Sequence, residues 1–246
     1  MDSKDSVDVT FFVPCYNEAA NVAGVLDLIR WVGQEKQLTY EVIVVDDGSS
    51  DGTSDMVRQY CQVNGPLPIR LHRNPINRGV GYNYLSWASQ ARGRYYLLVN
   101  GDNDVPREDI AAVVEYRGKA DIIIPYVVNQ EERALFRQIT SDLFTRLVTL
   151  LSGHHLRYYN GIALHLRENV ERFRSQATGF GYQAELLCRA LNAECSYLEI
   201  PFRTLAKRRN RSSAFRVSNI LSVLGSLCRI LAGRVMTKFS GSKEKR

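Results

Sequence analysis

The 246-residue chain is 45% apolar and 24% charged, a balance that excludes a disordered or fibrous protein and leaves enough nonpolar surface to bury a core. Its net charge of +6 is unevenly placed: RTLAKRRNRSSAFR (203–216) carries six basic groups and no acid, which suggests an anionic partner such as phosphate, nucleic acid or membrane lipid. Five scattered cysteines (Cys15, Cys61, Cys188, Cys195, Cys228) contain no CxxC pair, which argues against a zinc site or disulfide framework and for reduced thiols in a cytosolic compartment. The opening MDSKDSVDV is polar and acidic, so no secretory signal is expected. No run of about 18 or more uncharged apolar residues marks a membrane span.

Short β-rich runs appear at VTFFVP (9–14), EVIVVD (41–46), IRLHR (69–73), YYLLVN (95–100) and DIIIP (121–125). Helical patterns fall between them at 19–33, 53–63, 80–91 and 107–116. Strands apolar on both faces, separated by helices, predict a mostly parallel sheet covered on both sides. Beyond it, EERALFRQITSDLFTRLVTLLSG (131–153) reads as a long helix, with Phe136, Ile139, Leu143, Leu147 and Leu151 at spacings of three or four. YNGIALHLR (159–167) reads as a strand, GFGYQAELLCRALNA (179–193) as a helix and CSYLEIP (195–201) as a strand. VSNILSVLGSLCRILAGRV (217–235) reads as a final amphipathic helix.

Polar residues collect after three of the strands: PCYNEAAN, DDGSSDGT and NGDNDVP. In open α/β sheets ligands bind beyond the carboxyl ends of the strands, so these loops are expected to share one site. Asn100, Asp102 and Asp104 alternate, and on an extended chain would project from one face. Carboxylates that close require a cation or a proton between them. A hard divalent ion is one solution, and a solvated turn is the other reading.

Six blocks fall in order along the chain: VPCYNEAANV (13–22), VVDDGSSDGT (44–53), NRGVG (77–81), NGDND (100–104), ELLCRA (185–190) and EIPFRTLAKRRNRSS (199–213). Together they resemble the family 2 glycosyltransferases of the GT-A fold, most closely the branch of dolichyl-phosphate mannose synthases and other polyprenyl-phosphate glycosyltransferases. The resemblance implies an α/β GT-A sandwich with a mostly parallel central sheet flanked by helices. A transferase domain would occupy residues 1–213, and an amphipathic helix with a basic tail residues 214–246.

It also implies roles. Pro14, Tyr16 and Glu18 would line the base and ribose pocket with Asp46 and Asp47, while Asp51 would mainly cap a helix. Arg78 and Gly79 would lie beside the donor, and Lys207 would reach its phosphates. Asp102 and Asp104 would be catalytic, holding Mg²⁺ or Mn²⁺ against the diphosphate. Asn100 stands where relatives usually have an aspartate, which removes one charge from the metal set. Glu185 is either the base for a saccharide hydroxyl or a support that pairs with Arg189. Arg133 and Arg137, four residues apart, would hold a lipid phosphate together with Arg208; alternatively they pair with Glu131 or Glu132.

The expected activity is inverting transfer from a UDP- or GDP-linked sugar to a polyprenyl phosphate, by a protein peripheral to the cytosolic face of a membrane. The alternative acceptor is a saccharide hydroxyl. A nucleic-acid-binding protein would explain KRRNR but not three acidic loop ends, which repel phosphates, so no nucleic-acid partner is expected. A catalytically silent donor-binding module is the remaining reading.

Overall fold

The computed structural model describes residues 6–129, 135–175, 177, 179, 181–205 and 217–243, with backbone alone at 137, 217–221 and 237–243. Arg133, Lys207, Arg208 and the side chain of Arg137 therefore lie outside the described residues.

Among the described residues one seven-stranded sheet forms from β1 (Val9–Cys15), β2 (Tyr40–Asp46), β3 (Ile69–Arg73), β4 (Tyr95–Leu98), β5 (Ile122–Val127), β6 (Leu164–Leu166) and β7 (Tyr197–Phe202). The helices are α1 (Val22–Glu35), α2 (Thr53–Asn64), α3 (Val80–Ala88), α4 (Arg107–Glu115), α5 (Leu135–Ser152), α6 (Arg167–Arg172), α7 (Tyr182–Asn192) and α8 (Val217–Lys243). The spatial order is β3-β2-β1-β4-β6-β5-β7, parallel throughout except that β6 runs antiparallel to β4 and β5. From β1 the chain builds outward through β2 to β3, then returns to β1's other side with β4. That reversal opens a crevice at the carboxyl ends of β1 and β4, where open α/β sheets take their ligands.

The inner strands are buried on both faces, as their continuous Val, Ile and Phe content requires. Below the crevice Phe12, Tyr84, Tyr96 and Tyr182 form an aromatic cluster with ring centroids 4.8 to 5.7 Å apart. Such contacts add about 0.5–1.5 kcal/mol each beyond burial. They clamp α3 and α7 onto the sheet, and so fix the loop that leads into α3. A second core joins Ile122, Ile124, Val148, Tyr159, Leu187 and Ile230 under α5, α7 and α8.

Three expectations change. The strand expected over 159–167 is confined to β6, and Arg167–Arg172 turns into the helix α6, whose Arg167 pairs with Glu171 one turn on. Helix α1 starts later than residue 19, because Asn17 takes a left-handed φ of 57° and the Glu18 carbonyl first closes a turn onto Asn21 and Val22. On α5 the periodicity holds, but Phe136, Ile139, Leu143 and Leu147 are exposed, while Phe144, Val148 and Leu151 face the core.

Candidate active site

The first two loops are knitted together by side chains bonding to backbone. Asn17 N–H donates to Ser49 Oγ at 2.9 Å, and Ser50 N–H donates to Asn17 Oδ1 at 2.9 Å. Glu18 N–H donates to Thr53 Oγ1 at 3.0 Å, and Ala19 N–H to Asp51 Oδ2 at 3.0 Å. Asp51 Oδ1 also accepts from Thr53 N–H at 3.0 Å, where α2 begins. Asp46, 1% exposed, closes the DDGSS turn: Oδ1 accepts from Ser49 N–H at 2.9 Å, Oδ2 from the Ser54 hydroxyl. Its carboxylate thus fixes the turn after β2, whereas Tyr16, just past the end of β1, is exposed. Glu18 is buried and accepts from Asn21 Nδ2 at 2.7 Å.

Asp47 does different work. Its Oδ1 accepts from Asn74 Nδ2 at 2.7 Å and Arg78 N–H at 2.9 Å, and its Oδ2 from Gly79 N–H at 2.8 Å. Asn74 also donates to Asn83 Oδ1 at 2.8 Å, and Asn83 donates to the Gly79 carbonyl at 3.1 Å. This buried cradle holds Gly79 at φ 89°, a conformation in which any other residue is strained. The Arg78 guanidinium lies over the Tyr82 ring, 4.9 Å from its centroid. Asn74 and Asn83 escape notice in the sequence: Asn74 sits in the polar HRNPINR run and reads as a turn residue, and Asn83 is a lone amide in the apolar pattern of α3.

The NGDND segment is a turn, which corrects the expectation of an extended chain with alternating faces. Strand β4 ends at Leu98, Asn103 N–H approaches the Asn100 carbonyl at 3.4 Å, and Asn103 has a left-handed φ of 53°. Gly101 N–H bonds the Pro14 carbonyl at 3.3 Å, and a Cβ there would lie 2.8 Å from both Cys15 Sγ and that carbonyl. The close approach seats Asp102 beside the end of β1. The Cys15 thiol registers this: burial first, then the charges of Glu18, Asp46, Asp102 and Asp51, push its pKa far up. Negative charge thus gathers at the crevice floor.

Among the described residues no three His, Cys, Asp or Glu side chains make a ready metal cage. The donor set still fits Mg²⁺ or Mn²⁺. Asp104 Oδ1 is buried with no hydrogen-bond partner, and Mg²⁺ is typically held by one or two carboxylates, completed by substrate phosphates and water. The far side of this turn meets the start of the basic segment. Leu205 N–H donates to the Asp104 carbonyl at 2.7 Å, Thr204 and Asn129 exchange bonds of 2.8 and 3.1 Å, and Arg203 N–H donates to Asp109 Oδ1 at 3.1 Å.

Glu185 sits on α7, 1% exposed, in the seam with α8. Its Oε1 accepts from Arg189 Nη2 at 2.6 Å and its Oε2 from Arg229 Nε at 2.8 Å. Arg189 also donates to the Arg174 carbonyl at 2.7 Å, and Arg229 to Ser226 Oγ at 3.2 Å. The Arg229 partnership, spanning 44 residues, has no local sequence signal. At the crevice edge, therefore, the fold gathers Pro14, Tyr16, Glu18, Asp46, Asp47, Arg78, Gly79, Asn100, Asp102 and Asp104, and it places Glu185 in an interhelical seam.

The undecaprenyl-phosphate 4-deoxy-4-formamido-L-arabinose transferase of Aeromonas hydrophila subsp. hydrophila is 26% identical over 172 residues, 69% of this chain and 52% of that one. The dolichyl-phosphate beta-glucosyltransferase of Dictyostelium discoideum is 30% identical over 122 residues, 48% of this chain and 37% of that one. The chain thus spans about half, or less, of the length of these curated relatives. Among solved structures, glucosyl-3-phosphoglycerate synthase from Mycobacterium tuberculosis, in complex with Mn²⁺, UDP and phosphoglyceric acid, superimposes with a TM-score of 0.71 at 16% identity, over 92% of this chain and 80% of that one. The mannosyltransferase PcManGT from Pyrobaculum calidifontis, in complex with GDP-Man and Mn²⁺, gives a TM-score of 0.61 at 17% identity, over 98% and 77%. The fold is accordingly the GT-A sandwich. The family profile described as Glycosyl transferase family 2 matches residues 10–181, which include both acidic loops, the Asp47 cradle and the NGDND turn. The chain belongs to glycosyl transferase family 2.

Proposed function

We propose that the chain is an inverting glycosyltransferase that moves a sugar from a nucleoside-diphosphate donor to a polyprenyl phosphate at a membrane surface. The observation that carries this reading is the Asp102–Asp104 turn at the crevice, with a buried unsatisfied Asp104 oxygen and the basic segment starting against its backbone. The likeness to curated relatives named for undecaprenyl-phosphate and dolichyl-phosphate transfer supports the acceptor class.

The roles follow from the chemistry. Tyr16 and Glu18, with the turn that Asp46 closes, would receive the nucleoside. The Asp47 cradle presets the backbone of residues 78–79 beside the diphosphate, so less ordering is required when the donor binds. Asp102 and Asp104 would hold the divalent ion; when bound, it offsets the charge that develops on the departing nucleoside diphosphate. Asn100 contributes an amide oxygen and no charge. Lys207 would add a cation to the diphosphate, and Arg133, Arg137 and Arg208 would hold the acceptor phosphate. That phosphate is already an anionic nucleophile, so attack on the anomeric carbon requires no base. Glu185, shared between two arginines, is then a positioning residue.

Residues 1–213 would supply the transfer chemistry and 214–246 a peripheral membrane contact at the cytosolic face. Among the described residues no helix is long and apolar enough to cross a membrane. The test is donor turnover by purified protein with Mg²⁺ or Mn²⁺ and a panel of UDP- and GDP-sugars, with and without polyprenyl phosphate in detergent. Lipid-dependent release of one nucleoside diphosphate is expected. Release stimulated by saccharides and not by lipid phosphate would overturn the acceptor assignment and return Glu185 to consideration as a base.

A further inference from the structure

Helix α5 carries an apolar stripe that its own packing leaves exposed. Leu135, Ile139, Leu143, Leu147 and Leu150 follow at spacings of four, four, four and three, and are 69%, 57%, 56%, 38% and 71% exposed. They trace one side of the helix over roughly 22 Å. The helix does not need this side to dock, because Phe144, Val148 and Leu151 already pack into the second core. Single exposed leucines are ordinary, but an ordered stripe marks an interaction surface. Neighbouring α8 repeats the pattern: Leu224, Leu231 and Val235 are exposed, while Ser226 and Ile230 are buried. Arg234 Nη1 joins the helices by donating to the Leu150 carbonyl at 2.7 Å.

Charge chooses the occupant. Helices α5 and α8 together contain six lysines and arginines against a single aspartate and no glutamate. The one acid on α5, Asp142, is paired with Arg146 at 3.0 Å. A second copy of the chain would bring the same positive charge against this side, whereas anionic lipid headgroups neutralise it. Basic residues beside an exposed apolar helical stripe form the pattern of an interfacial helix.

We propose that the α5 stripe, together with α8, seats the protein on an anionic bilayer, with the α5 leucines and Ile139 entering the boundary between headgroups and acyl chains. This rests on the membrane reading given above and adds a second helix to it. Strand β5 ends at the crevice edge, and α5 begins eight residues beyond Val127. Seating α5 therefore sets the height of the catalytic crevice above the lipid plane.

The test is co-sedimentation with sucrose-loaded vesicles of phosphatidylcholine alone or with one-third phosphatidylglycerol. It compares the intact chain, the double variant Ile139→Asp with Leu143→Asp, and the double variant Leu231→Asp with Val235→Asp. Circular dichroism and binding of UDP and GDP with Mn²⁺ verify the fold; serine at the same α5 positions repeats the comparison if aspartate disturbs it. The intact chain is expected to bind anionic vesicles, and the α5 variant to lose about tenfold or more in partitioning with nucleotide binding unchanged. Failure of the intact chain to bind any vesicle overturns the membrane reading and this one together. Loss confined to the α8 variant overturns only the role of α5. A dimer that the α5 substitutions dissociate, with vesicle binding intact, assigns the stripe to a second copy instead and overturns the proposal.

Discussion

Replacing Glu185 with glutamine removes the charge from a carboxylate that is 1% exposed and bonded through both oxygens, at 2.6 Å to Arg189 and 2.8 Å to Arg229. One oxygen becomes an amide NH₂ that faces a guanidinium N–H and cannot accept from it. Removing one partner of a fully buried pair costs about 3–5 kcal/mol. Here the arginine side chains stay 37% and 32% exposed, so water recovers part of the loss; we expect about 2 kcal/mol. For a domain of this length that lowers the melting temperature by roughly 4–8 °C. A general base contributes about 10²–10⁴-fold to the rate, whereas a residue that only holds α8 against α7 leaves the rate at 25 °C within a few-fold. Melting curves and single-turnover rates with polyprenyl phosphate, on the same preparations, separate the two roles. An unchanged melting temperature with a hundredfold or greater loss of rate refutes the positioning role. A double-mutant cycle with Arg229→Gln should return a coupling of about 1–3 kcal/mol.

Three further perturbations address the crevice and the core. Asp104→Asn should weaken Mn²⁺-dependent nucleotide binding and lower turnover roughly a hundredfold; metal titrations that match the unaltered protein would move the ion away from Asp104. Gly101→Ala places a methyl 2.8 Å from Cys15 Sγ and the Pro14 carbonyl, and should cost about 1–3 kcal/mol in urea unfolding with a loss of turnover; wild-type values for both would mean that the turn relaxes without moving its carboxylates. Burial pushes the His165 imidazole down to about 3 from an ordinary value of 6.5. Between those values the unfolded chain binds a proton that the native state does not, so stability is full above pH 6.5 and falls as pH drops towards 3. From pH 7 to 5 the loss is on the order of 2 kcal/mol, and His165→Gln should flatten that part of the melting profile; an equally steep profile would assign the slope to other groups.

Which parts of this molecule could be read from its residues depends on the range of the interactions involved. β1 and β2 are legible because a strand covered on both faces must be apolar throughout. β6 is legible only in part: a strand is expected over 159–167, but its three-residue extent and antiparallel pairing are decided by β4 and β5. The α5 stripe marks an intermediate case. Spacings of three and four fix which residues share a side of the helix but not what that side meets, and here the more conspicuous set faces outward. At the NGDND turn the expected placement of acids at the sheet edge agrees with the structure while its premise fails. Asn103 at φ 53° breaks the extended chain, and the turn, rather than strand alternation, presents the carboxylates.

The separation of charge along the sequence has a spatial meaning that composition alone does not give. Acids dominate the loops after β1, β2 and β4, and the basic run follows β7. Because β7 and β4 end at the same edge of the sheet, the chain leaving β7 reaches the acidic turn before the basic run begins, and Leu205 N–H bonds the Asp104 carbonyl at 2.7 Å. Acids alone at that edge would repel a diphosphate, and a basic loop alone would hold any polyanion. On the reading proposed above, the two would together favour a ligand whose negative charge is shared between a bound cation and basic side chains, as expected for a nucleoside diphosphate with its metal. Neutralising Lys207 should therefore weaken donor binding while leaving the metal dependence of what remains in place. If that substitution abolishes metal dependence instead, the acids and the basic segment do not act on the same phosphates.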